Sequence, residues 1–142
     1  MSAGLNEKPP TNMATYLLDT NVIIDAINEK KSRNQFLVDL VELQGHTLAT
    51  CPINVAEVYA GMRPKEAQRT AELLRSLELL PITFPVAELA GGLKYKYAKQ
   101  GITLSLTDAI IAAVAIHKQL TLITENTKHF PMANLSLYPL PS

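Results

Sequence analysis

A chain of 142 residues can bury a full hydrophobic core, and 47% apolar with 18% charged residues excludes an intrinsically disordered polymer. Thirteen basic and 13 acidic residues cancel to zero net charge, so a polyanionic partner would have to be met by a local basic face. One cysteine, Cys51 in "HTLATCPINVA", excludes an intramolecular disulfide and reads as a buried, inert thiol suited to a reducing cytoplasm.

The first dozen residues, "MSAGLNEKPPTN", have no apolar signal-peptide core and read as a flexible tail (1–12) before a single domain over 13–142. No apolar run reaches the ~18 residues of a membrane span. "TYLLD" reads as a buried strand, with a helix beginning near Asn21. "SRNQFLVDLVELQ" opens with Ser32 as N-cap and repeats apolar residues at helical steps. "TLAT" is the second strand, and "INVAEVYAGM" a helix carrying Glu57. "PKEAQRTAELLRSLELL" reads as one helix over 64–80, with Pro64 in its first turn. Its side of Leu73, Leu74, Leu77 and Leu80 is assigned to the core before a dimer contact. "LPITF" is the third expected strand. "VAELAGGLKYKYAKQG" is a weaker helix, interrupted at Gly91 and Gly92 and stopped at Gly101. "LTDAIIAAVAIHKQ" is apolar almost all round and should be the most buried helix. "LTLIT" and "LSLYPL" complete the strands. This alternation predicts an α/β domain with a mainly parallel sheet, whose ligand sites form outside the carboxyl ends of the strands.

Three acids sit in strongly apolar company: Asp19 after "TYLL", Glu57 in "INVAEVYAGM" and Asp108 before "AIIAAVAI". Each has a plain structural reading. Asp19 can cap the helix that follows, "SLTD" makes Ser105 and Asp108 a formal capping box, and Glu57 can be a solvated helix residue. Glu57 fits that reading least, because its same-face neighbours Ile53, Asn54, Ala60 and Gly61 include no basic partner. Together with the polar strand end "TEN", the three acids are able to converge at one rim of the sheet. Carboxylates gathered so closely repel unless a cation holds them. An all-oxygen donor set points to a hard ion, Mg²⁺ or Mn²⁺. His46, His117 and His129 are scattered without ligand spacing and read as surface residues. No phosphate-binding glycine loop, nucleophile elbow or cysteine–histidine pair accompanies them.

In register, "LLDTNVIID", "INVAEVYAGM", "LTDAIIAAVAI" and "LITENTKHF" resemble the PIN-domain ribonucleases, and among them the VapC toxins of toxin–antitoxin pairs, from Met13 onward. The resemblance implies a three-layer α/β/α sandwich and a Mg²⁺- or Mn²⁺-dependent endoribonuclease. Asp19, Glu57 and Asp108 match the family's metal-binding acids. Asn126 matches a fourth position that holds Asp or Asn, and here it removes one negative charge. Thr20 and Thr124 match hydroxyl positions flanking the acids, at the substrate. Glu125 departs from relatives that carry a base there, and reads as an outward-facing neighbour before a substitute acid. For the RNA backbone the candidates are Arg63, Lys65 and Arg69, then Lys94, Lys96 and Lys99 interleaved with Tyr95 and Tyr97. Arg63 and Lys96 lead these two groups. The resemblance also implies a homodimer, a VapB-like antitoxin, an RNA substrate such as tRNA, and a cytoplasmic location without a membrane partner. Rival readings are a PIN-like scaffold that binds RNA or protein without cutting it, a structure-specific DNA nuclease, and a phosphoacceptor receiver domain. The receiver would want paired acids after the first strand and an acid in "TLATCPIN", and neither is present.

Overall fold

Leu17 and Leu18 are adjacent and fully buried, yet they belong to different cores, because successive strand residues face opposite ways. The computed structural model describes residues 13–141, so the tail expected over 1–12 lies outside the described residues, as does Ser142. Strands β1 (Thr15–Leu18), β2 (Thr47–Thr50), β3 (Glu78–Leu79), β4 (Thr121–Thr124) and β5 (Ser136–Pro139) form one sheet in the order β3-β2-β1-β4-β5, every pairing parallel. Ala49 and Leu122 join Leu17 on one face, covered by helices α5 (Phe84–Lys99) and α6 (Leu106–Lys118). Leu48 and Ile123 join Leu18 on the other. There they meet α1 (Thr20–Ile27), α2 (Arg33–Glu42), α3 (Pro52–Ala60) and α4 (Ala67–Ser76). The result is the three-layer α/β/α sandwich. No helix among the described residues is long and apolar enough to cross a membrane.

The third strand lies at Glu78–Leu79 and not at "LPITF". Pro81 has no N–H for a ladder, and Pro85 belongs to the first turn of α5, which Thr83 caps by accepting the Val86 N–H at 3.4 Å. The helix expected over 64–80 shortens accordingly. A 3₁₀ turn at Pro64–Glu66 leads into α4, which stops at Ser76. The sheet captures the following residues, and the Leu80 N–H donates to the Thr50 carbonyl at 2.8 Å.

Gly91 and Gly92 do not interrupt α5, which runs unbroken for 16 residues. Gly101 does stop the chain, with φ +80° and the Ile102 N–H bonded to the Tyr97 carbonyl at 2.9 Å. Ser32 occupies the N-cap position of α2 with φ 55° but makes no side-chain cap bond. His46, expected at the surface, is buried, because its Nδ1 accepts the Ala14 N–H at 3.0 Å and its ring meets Tyr16 edge-on. In α6, six consecutive or near-consecutive positions from Ala109 to Ala115 are buried, as its all-round apolar surface predicts.

Connections run outward from β1 in both directions, to β2 and β3 on one side and to β4 and β5 on the other. A crevice therefore opens where β1 and β4 end. Asp19 follows β1 there, and Glu125 and Asn126 follow β4.

Candidate active site

Asp19 is both a cap and a buried acid. Its Oδ1 accepts the Thr20 N–H at 2.9 Å, its Oδ2 accepts the Thr124 hydroxyl at 2.7 Å, and the residue is only 6% exposed. Thr20, the first residue of α1, donates its own hydroxyl to Glu57 Oε1 at 2.6 Å, linking α1 to α3. Asp108 stands in the first turn of α6, where the Ser105 hydroxyl accepts its N–H at 3.0 Å. That is half of the capping box. The Asp108 carboxylate instead meets His129, with Oδ2 3.4 Å from Nδ1.

Electrostatics join the three acids. Burial pushes the Asp19 carboxyl above its ordinary range, the bonds from Thr124 and Thr20 pull it back, and the charges of Asp108 and Glu57 push it up again. Among the described residues neither Asp19 nor Glu57 has an ion-pair partner. Nor, among those residues, do three His, Cys, Asp or Glu side chains close into a ready-made cage. The donors at hand are all oxygens, the chemistry that a hard cation such as Mg²⁺ takes.

Sequence reasoning takes Asn54 only as a non-basic neighbour of Glu57, and the structure gives it a larger part. Fully buried, it donates from Nδ2 to the Thr20 hydroxyl at 3.0 Å, while its Oδ1 accepts the Cys51 N–H at 3.1 Å. The available signal was an amide in the apolar run "PINVA", three residues from both Cys51 and Glu57. Cys51 itself is buried as expected, and burial pushes its thiol up.

At the end of β4 the Thr124 hydroxyl also accepts the Asn126 N–H at 2.9 Å, which holds Asn126, half-buried, beside Asp19. Thr20 and Thr124, expected beside the substrate, thus spend their hydroxyls on carboxylates. Glu125 is not turned out to solvent. Arg33 Nη2 meets it at 2.9 Å and Lys31 Nζ at 3.0 Å, and Arg33 also donates to the Pro141 carbonyl. The hydrogen bond from Arg33 holds the Glu125 carboxyl below its ordinary range.

The basic candidates are mostly committed elsewhere. Arg63 pairs with Glu66 at 2.7 Å and Arg69 with Glu29 at 3.4 Å. Lys94 donates to the Leu104 carbonyl at 2.6 Å. Lys99 lies 4.7 Å from the Tyr95 ring, and Lys96 lies 5.7 Å from that of Tyr97. Tyr97 is not free to stack on bases, because it follows Val86, Ala90 and Leu93 on the buried side of α5. Lys96 lines a groove of about 710 Å³ with Glu88, Leu89 and Asn134, a groove whose lining contains none of the three acids.

The PIN domain matches residues 16–134. Ribonuclease VapC10 of Mycobacterium tuberculosis is 32% identical over 116 residues, 82% of this chain and 86% of that protein. VapBC2 from Rickettsia felis, solved bound to a DNA fragment from its promoter, superposes with a TM-score of 0.75 at 28% identity, covering 89% of this chain and 98% of that one. A toxin–antitoxin complex from Klebsiella pneumoniae gives 0.70 at 31% identity over 88% and 99%. With the match over residues 16–134 and this span of similarity, the chain belongs to the PIN-domain family.

Proposed function

We propose that this protein is a Mg²⁺- or Mn²⁺-dependent endoribonuclease, the toxin of a VapBC-like pair. One observation carries the reading: at the crevice Thr124 holds the Asp19 carboxylate, Thr20 beside it holds that of Glu57, and His129 from the turn after β4 meets that of Asp108. The similarity to ribonuclease VapC10 and to VapBC complexes supports it.

Asp19 and Asp108 would hold the ion through waters and direct oxygens. When bound, it supplies positive charge to the scissile phosphate and makes water more acidic. Thr20 holds one Glu57 oxygen, which leaves Oε2 to orient the attacking water and take its proton. Asn126 donates to a phosphate oxygen or a water and adds no charge. Thr20 and Thr124 act on the carboxylates, and so on the reaction only through them.

In this reading the chain works as a cytoplasmic homodimer on RNA, tRNA being one candidate. A VapB-like antitoxin silences it by placing a basic side chain among the acids. Purified protein should release discrete products from a small-RNA pool with Mg²⁺ or Mn²⁺, and a chelator should stop it. Asp19→Asn and Asp108→Asn should each lower the rate at least ~100-fold with the fold retained, as loss of transition-state charge stabilisation predicts. Near-wild-type cleavage by either variant sinks the assignment. The neutral Asn126 favours a second reading, a scaffold that binds RNA without cutting it. Failure of folded, metal-loaded protein to cut tRNA, rRNA or mRNA would select that one.

A further inference from the structure

A polyanion approaching three carboxylates needs a cation close by. Several basic side chains are spent: Lys31 and Arg33 on Glu125 at the end of β4, Arg63 on Glu66, Lys94 on the Leu104 carbonyl. Lys128 has no ion-pair or hydrogen-bond partner among the described residues. It lies in the 3₁₀ turn Thr127–His129, immediately after Asn126. Lys30, Lys65, Arg75 and Lys118 are also unpaired among those residues, and Lys96 and Lys99 meet only the Tyr97 and Tyr95 rings, but none of the six lies in the turn whose His129 meets Asp108.

The turn borders the site. His129 Nδ1 is 3.4 Å from Asp108 Oδ2, while 58% of the His129 side chain stays open to solvent. The turn is also firmly seated. The His129 N–H donates to the Asn126 carbonyl at 2.9 Å, the Phe130 N–H donates to that of Thr127 at 3.0 Å, and Phe130 and Met132 are buried just beyond. Thr127, Lys128 and His129 all remain exposed on this base. A rigid turn that presents a lysine, an imidazole and a hydroxyl beside a carboxylate suits a phosphate one step along a strand.

We infer that Thr127–His129 is the RNA-backbone contact of this site, with Lys128 and His129 binding a phosphate next to the scissile one. The inference rests on the nuclease reading above and deepens it. It gives the substrate an anchor on the β4 side of the crevice, away from α5 and its "KYKYAK" stretch.

The test uses single-stranded RNA and two readouts. Wild-type protein is first assayed for cleavage. Binding is then measured by fluorescence anisotropy at several salt concentrations in an Asp19→Asn background, which prevents cutting. Adding Lys128→Glu should weaken binding about tenfold and lower the slope of log K against log salt by about 0.7, one single-strand phosphate contact. His129→Ala should weaken it severalfold, and in the cleaving protein Lys128→Ala should raise KM with kcat little changed. Lys118→Glu makes the same charge change at the far end of α6 and should leave both binding and slope unaltered. RNA cleaved by wild type but bound equally well with Lys128→Glu overturns the inference and leaves the nuclease standing. An equal loss with Lys118→Glu also overturns it, by reducing the effect to net charge. RNA neither cleaved nor bound removes both readings.

Discussion

Asn54 has nothing to gain from its surroundings except its hydrogen bonds. It is wholly buried, and each end of its amide serves a different partner: Cys51 at the start of α3, and the Thr20 hydroxyl that steadies Glu57. Asn54→Ala strands both partners away from water, so it should cost about 2 kcal/mol by denaturant unfolding. In the nuclease proposed above it should also slow cleavage, because Glu57 loses the Thr20 hydroxyl that Asn54 steadies. Glu125 makes a different kind of contribution. Its carboxyl is held below the ordinary value of 4.5, first by the hydrogen bond from Arg33, so the folded chain releases this proton more readily than the unfolded one. The stabilisation is therefore complete above that value and disappears as pH falls through the lowered one. Glu125→Gln should melt below the wild type at pH 7, by about 1 kcal/mol, and the two curves should meet in acid.

Two glycines of one helix and its stop should respond to alanine with opposite signs. Gly92 lies inside α5 with open space where a Cβ would stand, so Gly92→Ala should stabilise by about 0.5–1 kcal/mol. Gly101 has φ +80°, and Gly101→Ala should destabilise by about 1 kcal/mol. Thermal melts of the two single variants decide both. The sequence reading assigned the stop correctly and the interruption wrongly, and the difference is instructive. A glycine lowers helix propensity without breaking a hydrogen bond, so the packing of Val86, Ala90, Leu93 and Tyr97 overrode it. β1, β2 and β4 were legible because both faces are buried and the apolar runs are continuous. β3 was not, since its two exposed residues complete a leucine pattern that reads equally well as helix. That Asp19 is buried and Glu57 and Asp108 half-buried was legible in their apolar neighbours. Their braces were less so, because Asn54 and His129 act through contacts across the sequence that no local pattern encodes.

The two cores sit back to back on one sheet, and Cys51 is buried in the one beneath α5 and α6. Its thiol should stay silent to a thiol reagent in native buffer and react only as fast as the sheet opens, so labelling kinetics report the stability of the molecule. Rapid native labelling would mean that this layer opens on its own. The parallel sheet also has a temporal meaning. The central strand β1 is one of the early parts of the chain to be synthesised, yet the hydroxyl that holds its terminal acid comes from Thr124, 105 residues later. Asp108 arrives almost as late. A nascent chain that has not reached these residues therefore carries Asp19 and Glu57 without Asp108 or the Thr124 brace. Whatever chemistry the crevice performs is withheld until β4 has been made and slotted beside β1.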